Sequence, residues 1–95
     1  VLYTVSRSFY QIDMESLLNM VTQRDVLLLL QDGVTAAIAG SASLNQLMAC
    51  GAVIYALRED VEARGLLTLM GNDVELIDYQ GFVDLTVNHS PQMAW

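Results

Sequence analysis

Asp25-Val26-Leu27-Leu28-Leu29-Leu30-Gln31-Asp32-Gly33-Val34-Thr35 decides the fold. Four consecutive leucines, entered from an aspartate and left through Gln-Asp-Gly, show no alternation of apolar and polar residues. A strand with one wet face alternates, so this one is expected to be covered on both faces, as a central strand of a parallel sheet is. Asp32-Gly33 turns the chain, and Val34–Ile38 then reads as helix. In a parallel α/β layer, ligands gather where strands end and helices begin. This turn carries no glycine-rich phosphate cradle, no nucleophile and no metal-ligand pair.

The same reading extends in both directions. Val1–Val5 is β-branched and aromatic, a first strand. Asp13 is placed to cap a helix whose apolar residues, Met14, Leu17, Leu18 and Val21, follow the spacing i, i+3, i+4, i+7. After the leucine strand, Val34, Ala37 and Ile38 begin a second helical region. Gly40-Ser41-Ala42-Ser43 interrupts it and Leu44, Leu47 and Met48 resume it. Gly51 suits a left-handed helix end. Val53–Leu57 is a third strand. Glu59–Gly65 is a short helix with acids at its start and Arg64 in its last turn. Leu66–Met70 reads equally as helix or covered loop. Val74–Ile77 is a fourth strand, placed near an edge by Glu75. A last helix runs from Gln80 to His89, and Ser90-Pro91 stops it. Gln92–Trp95 follows as a tail. The alternation predicts one α/β domain over residues 1–95. It is a three-layer fold with a mostly parallel sheet of about four or five strands and helices on both faces, joined by right-handed crossovers.

The bulk composition adds a surplus. Of 95 residues, 54% are hydrophobic and 16% charged, against about 45–50% and about 25% in ordinary soluble domains. A doubly covered sheet explains part of this. A domain this small buries only about 60–65% of its surface alone, so apolar surface is also expected to remain for another subunit. The net charge is −7, with no lysine and four scattered arginines, Arg7, Arg24, Arg58 and Arg64. No basic patch exists to hold a nucleic-acid backbone directly. No run is long and apolar enough to span a bilayer, and no basic-then-apolar leader opens the chain. A cytoplasmic location is the expectation.

The chemistry is sparse. A P-loop needs a lysine, and a dinucleotide fingerprint needs three glycines where only Gly33 stands. A structural zinc site needs about four Cys or His ligands, whereas the chain has one of each, Cys50 and His89. No metal or cofactor is expected. Cys50 precedes Gly51 at a predicted helix C-terminus, the end of the dipole that disfavours a thiolate, and reads as a small packed hydrophobe. His89 reads as a group capping the end of its helix. Asp32 and Gly33 make a turn at the strand end, with Asp32 free to cap the following helix or to serve a site. Trp95, on a short tail after proline, has two readings: it covers its own domain, or it anchors in a partner.

Several of these segments together resemble one family. They are Leu27–Ala37 (LLLLQDGVTAA), Tyr55-Ala56-Leu57 with Glu59-Asp60 and Ala63-Arg64-Gly65, and Leu76-Ile77-Asp78-Tyr79. Phe82-Val83-x-Leu85-Thr86-Val87 and the closing Gln92-Met93-Ala94-Trp95 complete the set. In order and spacing they are similar to the TusB/DsrH family of sulfur-relay subunits. The resemblance implies a flavodoxin-like domain of the DsrE/DsrF/DsrH type. It implies a heterohexamer with TusC and TusD, two copies of each, that hands persulfide sulfur to the carrier TusE. That sulfur becomes the 2-thio group of the tRNA wobble uridine, so tRNA is met only indirectly. It also implies that the sulfur-carrying cysteine belongs to TusD. Some DsrH-type members have a cysteine near the end of the first helix; Ser16–Met20 here has none. The expectation is a non-catalytic subunit, with Asp32, Gly33 and Trp95 as candidate partner contacts. The alternatives are a direct sulfurtransferase using Cys50 and a stand-alone flavodoxin-like module with a small-ligand pocket beside Asp32-Gly33.

Overall fold

A computed structural model describes all residues, Val1–Trp95. Five strands and four α-helices alternate along the chain: β1 (Leu2–Val5), α1 (Met14–Met20), β2 (Val26–Leu29), α2 (Ala42–Ala49), β3 (Val53–Leu57), α3 (Arg58–Ala63), β4 (Glu75–Ile77), α4 (Tyr79–Asn88) and β5 (Gln92–Ala94). Two 3-10 helices, Gln31–Ala37 and Leu67–Leu69, fill the connections after β2 and α3. The strands form one all-parallel sheet in the order β4-β3-β2-β1-β5.

Every residue of β2 is buried, as the unbroken leucine run requires. Its side chains divide between two cores. Leu27 and Leu29 join Tyr3, Val5, Ile54 and Ala56 in the larger one, and Val26 and Leu28 join Leu2 in the smaller one. Burying a leucine is worth about 1.5–3 kcal/mol, so β2 contributes more to the core than any other four-residue stretch.

The strand order explains why the two cores differ in size. From β1 to β4 each step moves the same way across the sheet. Right-handed crossovers therefore place α1, α2 and α3 on one face. The step from β4 to β5 reverses direction and puts α4 on the other. Leu17 of α1, Leu44 and Leu47 of α2 and Val61 of α3 accordingly lie in the larger core. Phe82 and Leu85 of α4 are the helical residues packed on the smaller. One face thus has three helices over it and the other has one.

Helix starts follow local chemistry. Asp13 caps α1, accepting from the Ser16 N–H at 3.1 Å and the Ser16 hydroxyl at 2.7 Å. Ser41 caps α2 through the Leu44 N–H, and Asp78 caps α4 through the Gly81 N–H. One sequence expectation needs correction: Gln92–Ala94 is a fifth strand, paired with β1, and not merely a tail. The open reading of Leu66–Met70 resolves to a single 3-10 turn at Leu67–Leu69, set off from α3 by Gly65, whose φ is 67°.

Asp25, just before β2, is the one buried charged residue, 8% exposed. Its carboxylate accepts from the Thr22 N–H at 2.8 Å, the Thr22 hydroxyl at 3.2 Å and the Val1 amino group at 3.2 Å. These donors, led by the Thr22 N–H, hold its pKa below the ordinary carboxylate value despite burial, which pushes the other way. A lowered folded pKa means the stabilisation is complete above the unfolded value of about 3.9 and fades as pH falls toward the folded one. Asp25→Asn is expected to cost about 1–2 kcal/mol at pH 7 and to lose part of the wild-type decline between pH 4 and pH 3, both read by urea denaturation.

Candidate functional site

The C-terminal edge of the sheet gathers all three sequence candidates. Gly33 sits against the end of β1: a Cβ built on it would lie 2.1 Å from the Val5 carbonyl oxygen. Only a residue without a side chain allows this approach. On the opposite flank of β1, the Trp95 N–H donates to the Thr4 carbonyl at 2.8 Å, and the Trp95 carbonyl accepts from the Ser6 N–H at 3.2 Å. Gly33 and Trp95 therefore bracket the end of one strand. Trp95 is half-buried and packs on the larger core of its own domain. Its indole N–H is shut away without an acceptor.

Asp32 does not cap the next helix. Its side chain, 66% exposed, pairs with Arg64 at 3.0 Å. The segment that follows is a 3-10 helix of seven residues, Gln31–Ala37, because the chain must run tightly past β1 at Gly33. Arg64 also donates to the Asp60 carbonyl at 3.2 Å and lies 4.0 Å from its carboxylate. Asp60 in turn accepts from the Gln31 N–H at 2.7 Å. The turn is thus tied to α3 by a chain of charges running Gln31–Asp60–Arg64–Asp32. Sequence reading did not find this network. Its legible part was the Asp60–Arg64 spacing of four residues on one helix face; the link across to Asp32 needs the fold.

The remaining chemical groups lie elsewhere. Cys50 closes α2 at the opposite, N-terminal edge of the sheet. Its thiol is half-buried and donates to the Leu47 carbonyl at 2.8 Å. His89 ends α4, where its backbone N–H reaches the Leu85 carbonyl. No group of three or more His, Cys, Asp or Glu side chains is placed to hold a metal ion. The main cavity, about 470 Å³, is lined by Phe9, Tyr10, Met14, Ile38, Ser41 and Ser43 among others, with no charged residue. It opens between the loop before α1 and the start of α2, and Thr35 and Ala36 of the 3-10 helix that begins at Gln31 also line it, while Asp32 and Gly33 themselves do not. No helix is long and apolar enough to cross a membrane.

A further surface lies on α4. Tyr79, Val83 and Val87 are 57%, 51% and 75% exposed, and their spacing of four sets them in a stripe along the outer side of the helix. Val53, on the same face of the sheet, is 50% exposed. Asp84 is the one charged residue of the helix, and its carboxylate accepts from the Gln80 amide at 3.1 Å.

Fold and site together define a small parallel α/β domain with bound-up polar groups at the C-terminal edge of its sheet and bare apolar surface on its thinner side. The chain belongs to the DsrH-like protein family, whose model matches residues 7–92. It is similar to TusB of Photorhabdus laumondii, with 48% identity over 95 residues and 100% of both chains covered. It is likewise similar to TusB of Escherichia coli K12, with 50% identity over 95 residues and the same full coverage. The crystal structure of the Escherichia coli ychN protein superposes with a TM-score of 0.77, covering 99% of this chain and 97% of that one. At 17% identity this likeness speaks for the fold alone.

The close approach at Gly33 yields a sharp expectation. Gly33→Ala forces the Val5 carbonyl and the 3-10 segment apart and is expected to cost about 2–3 kcal/mol. Asp32→Ala removes only an exposed ion pair and is expected to cost under about 1 kcal/mol. Chemical denaturation of the two variants reads the difference.

Proposed function

We propose that this chain is the non-catalytic, TusB-type subunit of a sulfur-relay complex that passes persulfide sulfur toward 2-thiolation of the tRNA wobble uridine. The observation that carries the reading is full-length similarity to TusB at 48–50% identity. The geometry supports it. The single thiol is half-buried, directed at a main-chain carbonyl, and stands at the edge of the sheet away from Asp32, Gly33 and Trp95. That is a packed cysteine and not a presented nucleophile, which weighs against a sulfurtransferase working through Cys50.

The finer reading concerns partners. The subunit joins TusC and TusD in a heterohexamer with two copies of each, and the assembly delivers sulfur to TusE in the cytoplasm. The sulfur-carrying cysteine is supplied by TusD. The stripe Tyr79-Val83-Val87 supports an obligate assembly, because an isolated domain gains nothing from keeping such residues in water. Trp95, whose main chain secures the sheet edge beside β1, is a candidate contact in that assembly.

Co-expression with TusC and TusD followed by size-exclusion chromatography tests the assembly, with co-elution of all three as the expected result. Elution as a well-behaved monomer, with TusC and TusD together in another peak, would count against it. In the reconstituted complex, Cys50→Ser is expected to leave transfer of labelled sulfur from a desulfurase donor unchanged. Val83→Glu is expected to shift the domain's own stability by no more than about 0.5 kcal/mol while weakening co-elution.

A further inference from the structure

The cavity of about 470 Å³ opens outside the C-terminal ends of β1 and β2. Phe9 and Tyr10 reach it from the connection after β1, and Thr35 and Ile38 from the connection after β2. A parallel α/β layer takes its ligands at such strand ends. The volume falls within the range of about 300–1,000 Å³ that small-molecule sites occupy.

The lining selects by charge and by hydrogen-bond direction. None of its residues is charged. A phosphate or carboxylate finds no cation there, and the net charge of −7 repels it. An ammonium group finds no carboxylate to replace its water. The Thr35 hydroxyl donates to the Asp32 carbonyl at 2.8 Å. The Ser43 and Ser41 hydroxyls stand 3.3 Å and 3.4 Å from the Ala36 carbonyl and 3.2 Å from each other. Their protons are taken up within the chain, so these hydroxyls offer a guest oxygen lone pairs. A guest with N–H donors satisfies them, and one without leaves them unpaired. The rim adds a flat surface. Phe9 packs against the larger core and fastens the loop. Tyr10, the next residue, is fully exposed at the cavity mouth, with a ring free to stack on a planar guest.

We propose that this cavity is a binding site for a small, uncharged, planar aromatic molecule carrying amide-type N–H donors. Thr35 and Ser43 are its acceptors and Tyr10 its stacking ring. The site is independent of the assembly reading above.

Benzamide is the probe, titrated into the chain and followed by proton–nitrogen NMR. Shifts centred on Thr35, Ile38 and Ser43 are expected. Benzoate, which adds a charge, and N,N-dimethylbenzamide, which lacks donors, are each expected to bind about tenfold more weakly. Ser43→Ala is expected to narrow the preference for benzamide over its dimethyl analogue. Tyr10→Ala is expected to weaken benzamide about threefold with the melting temperature unchanged. Equal binding of benzoate, shifts confined to other residues, or no benzamide shift at all overturns the inference. If benzamide gives no shift and Ala42→Trp, which blocks the cavity, breaks co-elution with TusC and TusD, the occupant is a partner's side chain. A chain that binds benzamide as expected and fails to join TusC and TusD overturns the assembly reading alone.

Discussion

Leu27, Leu28 and Leu29 must leave water on both sides of a single strand, and the architecture follows from that demand. A strand buried on both faces needs a layer above and a layer below. Parallel neighbours supply the layers, because each crossover carries a helix back over the sheet. The sequence of crossovers then sets how thick each layer is. Three steps in one direction stack α1, α2 and α3 over Leu27 and Leu29. A single reversed step leaves α4 alone over Val26 and Leu28. A lone helix shields the middle of its face but not the flanks, so Val53 remains half in water. Part of the apolar excess in the composition thus lies on this face, with Tyr10, Met20, Met48, Leu67, Leu69 and Met93 exposed elsewhere.

The parts of the fold legible in the sequence were those governed by local rules. β2 is a run of leucines, and α1 carries its own capping aspartate and its own apolar spacing. Asp13 acts through the N–H three residues ahead, a distance that sequence can see; Ser41 and Asp78 act over the same distance but were not read as caps. β5 was not legible. Its three residues are exposed and show no apolar alternation. It is a strand only because β1 offers an open edge, and an edge belongs to the sheet and not to the segment. Whether Leu66–Met70 continued α3 was equally undecidable, since both outcomes leave leucines partly covered.

The candidate site divides in the same way. The sequence placed Asp32 and Gly33 at the right edge, because a strand end followed by Asp-Gly is a local pattern. Of its two readings of Asp32, capping of the next helix fails, because the side chain pairs with Arg64, which lies 32 residues further on and is brought over by the β3 crossover. The reason for Gly33 was also out of reach. The residue does not supply a positive φ; it supplies the space into which the Val5 carbonyl fits, and that crowding comes from a strand nearly thirty positions earlier. The family was read from the order of several short segments. Periodicity and charge alone lead no further than an acidic α/β domain seeking a partner.

Charge and apolar surface divide the work of association between them. All four arginines are surface residues, and Arg64 is engaged with acids of its own chain. The remaining acids keep the molecule soluble and repel like copies. Over the α4 stripe, by contrast, charge is nearly absent, and the one carboxylate of that helix is engaged by a neighbouring amide. Attraction to such a surface would come from area and would not depend on sign, so any specificity would have to come from polar groups with fixed direction at its margin. Tyr79 begins the stripe at the same edge of the sheet where Gln31 is held by Asp60, and its own N–H is engaged by Glu59 at 3.1 Å. α3 therefore supplies both fixings, Asp60 for the turn and Glu59 for the helix start. A six-residue helix with little core of its own to bury is placed where it sets the orientation of two others. Two carboxylates of one short helix thus fix the turn after β2 and the start of α4 relative to each other.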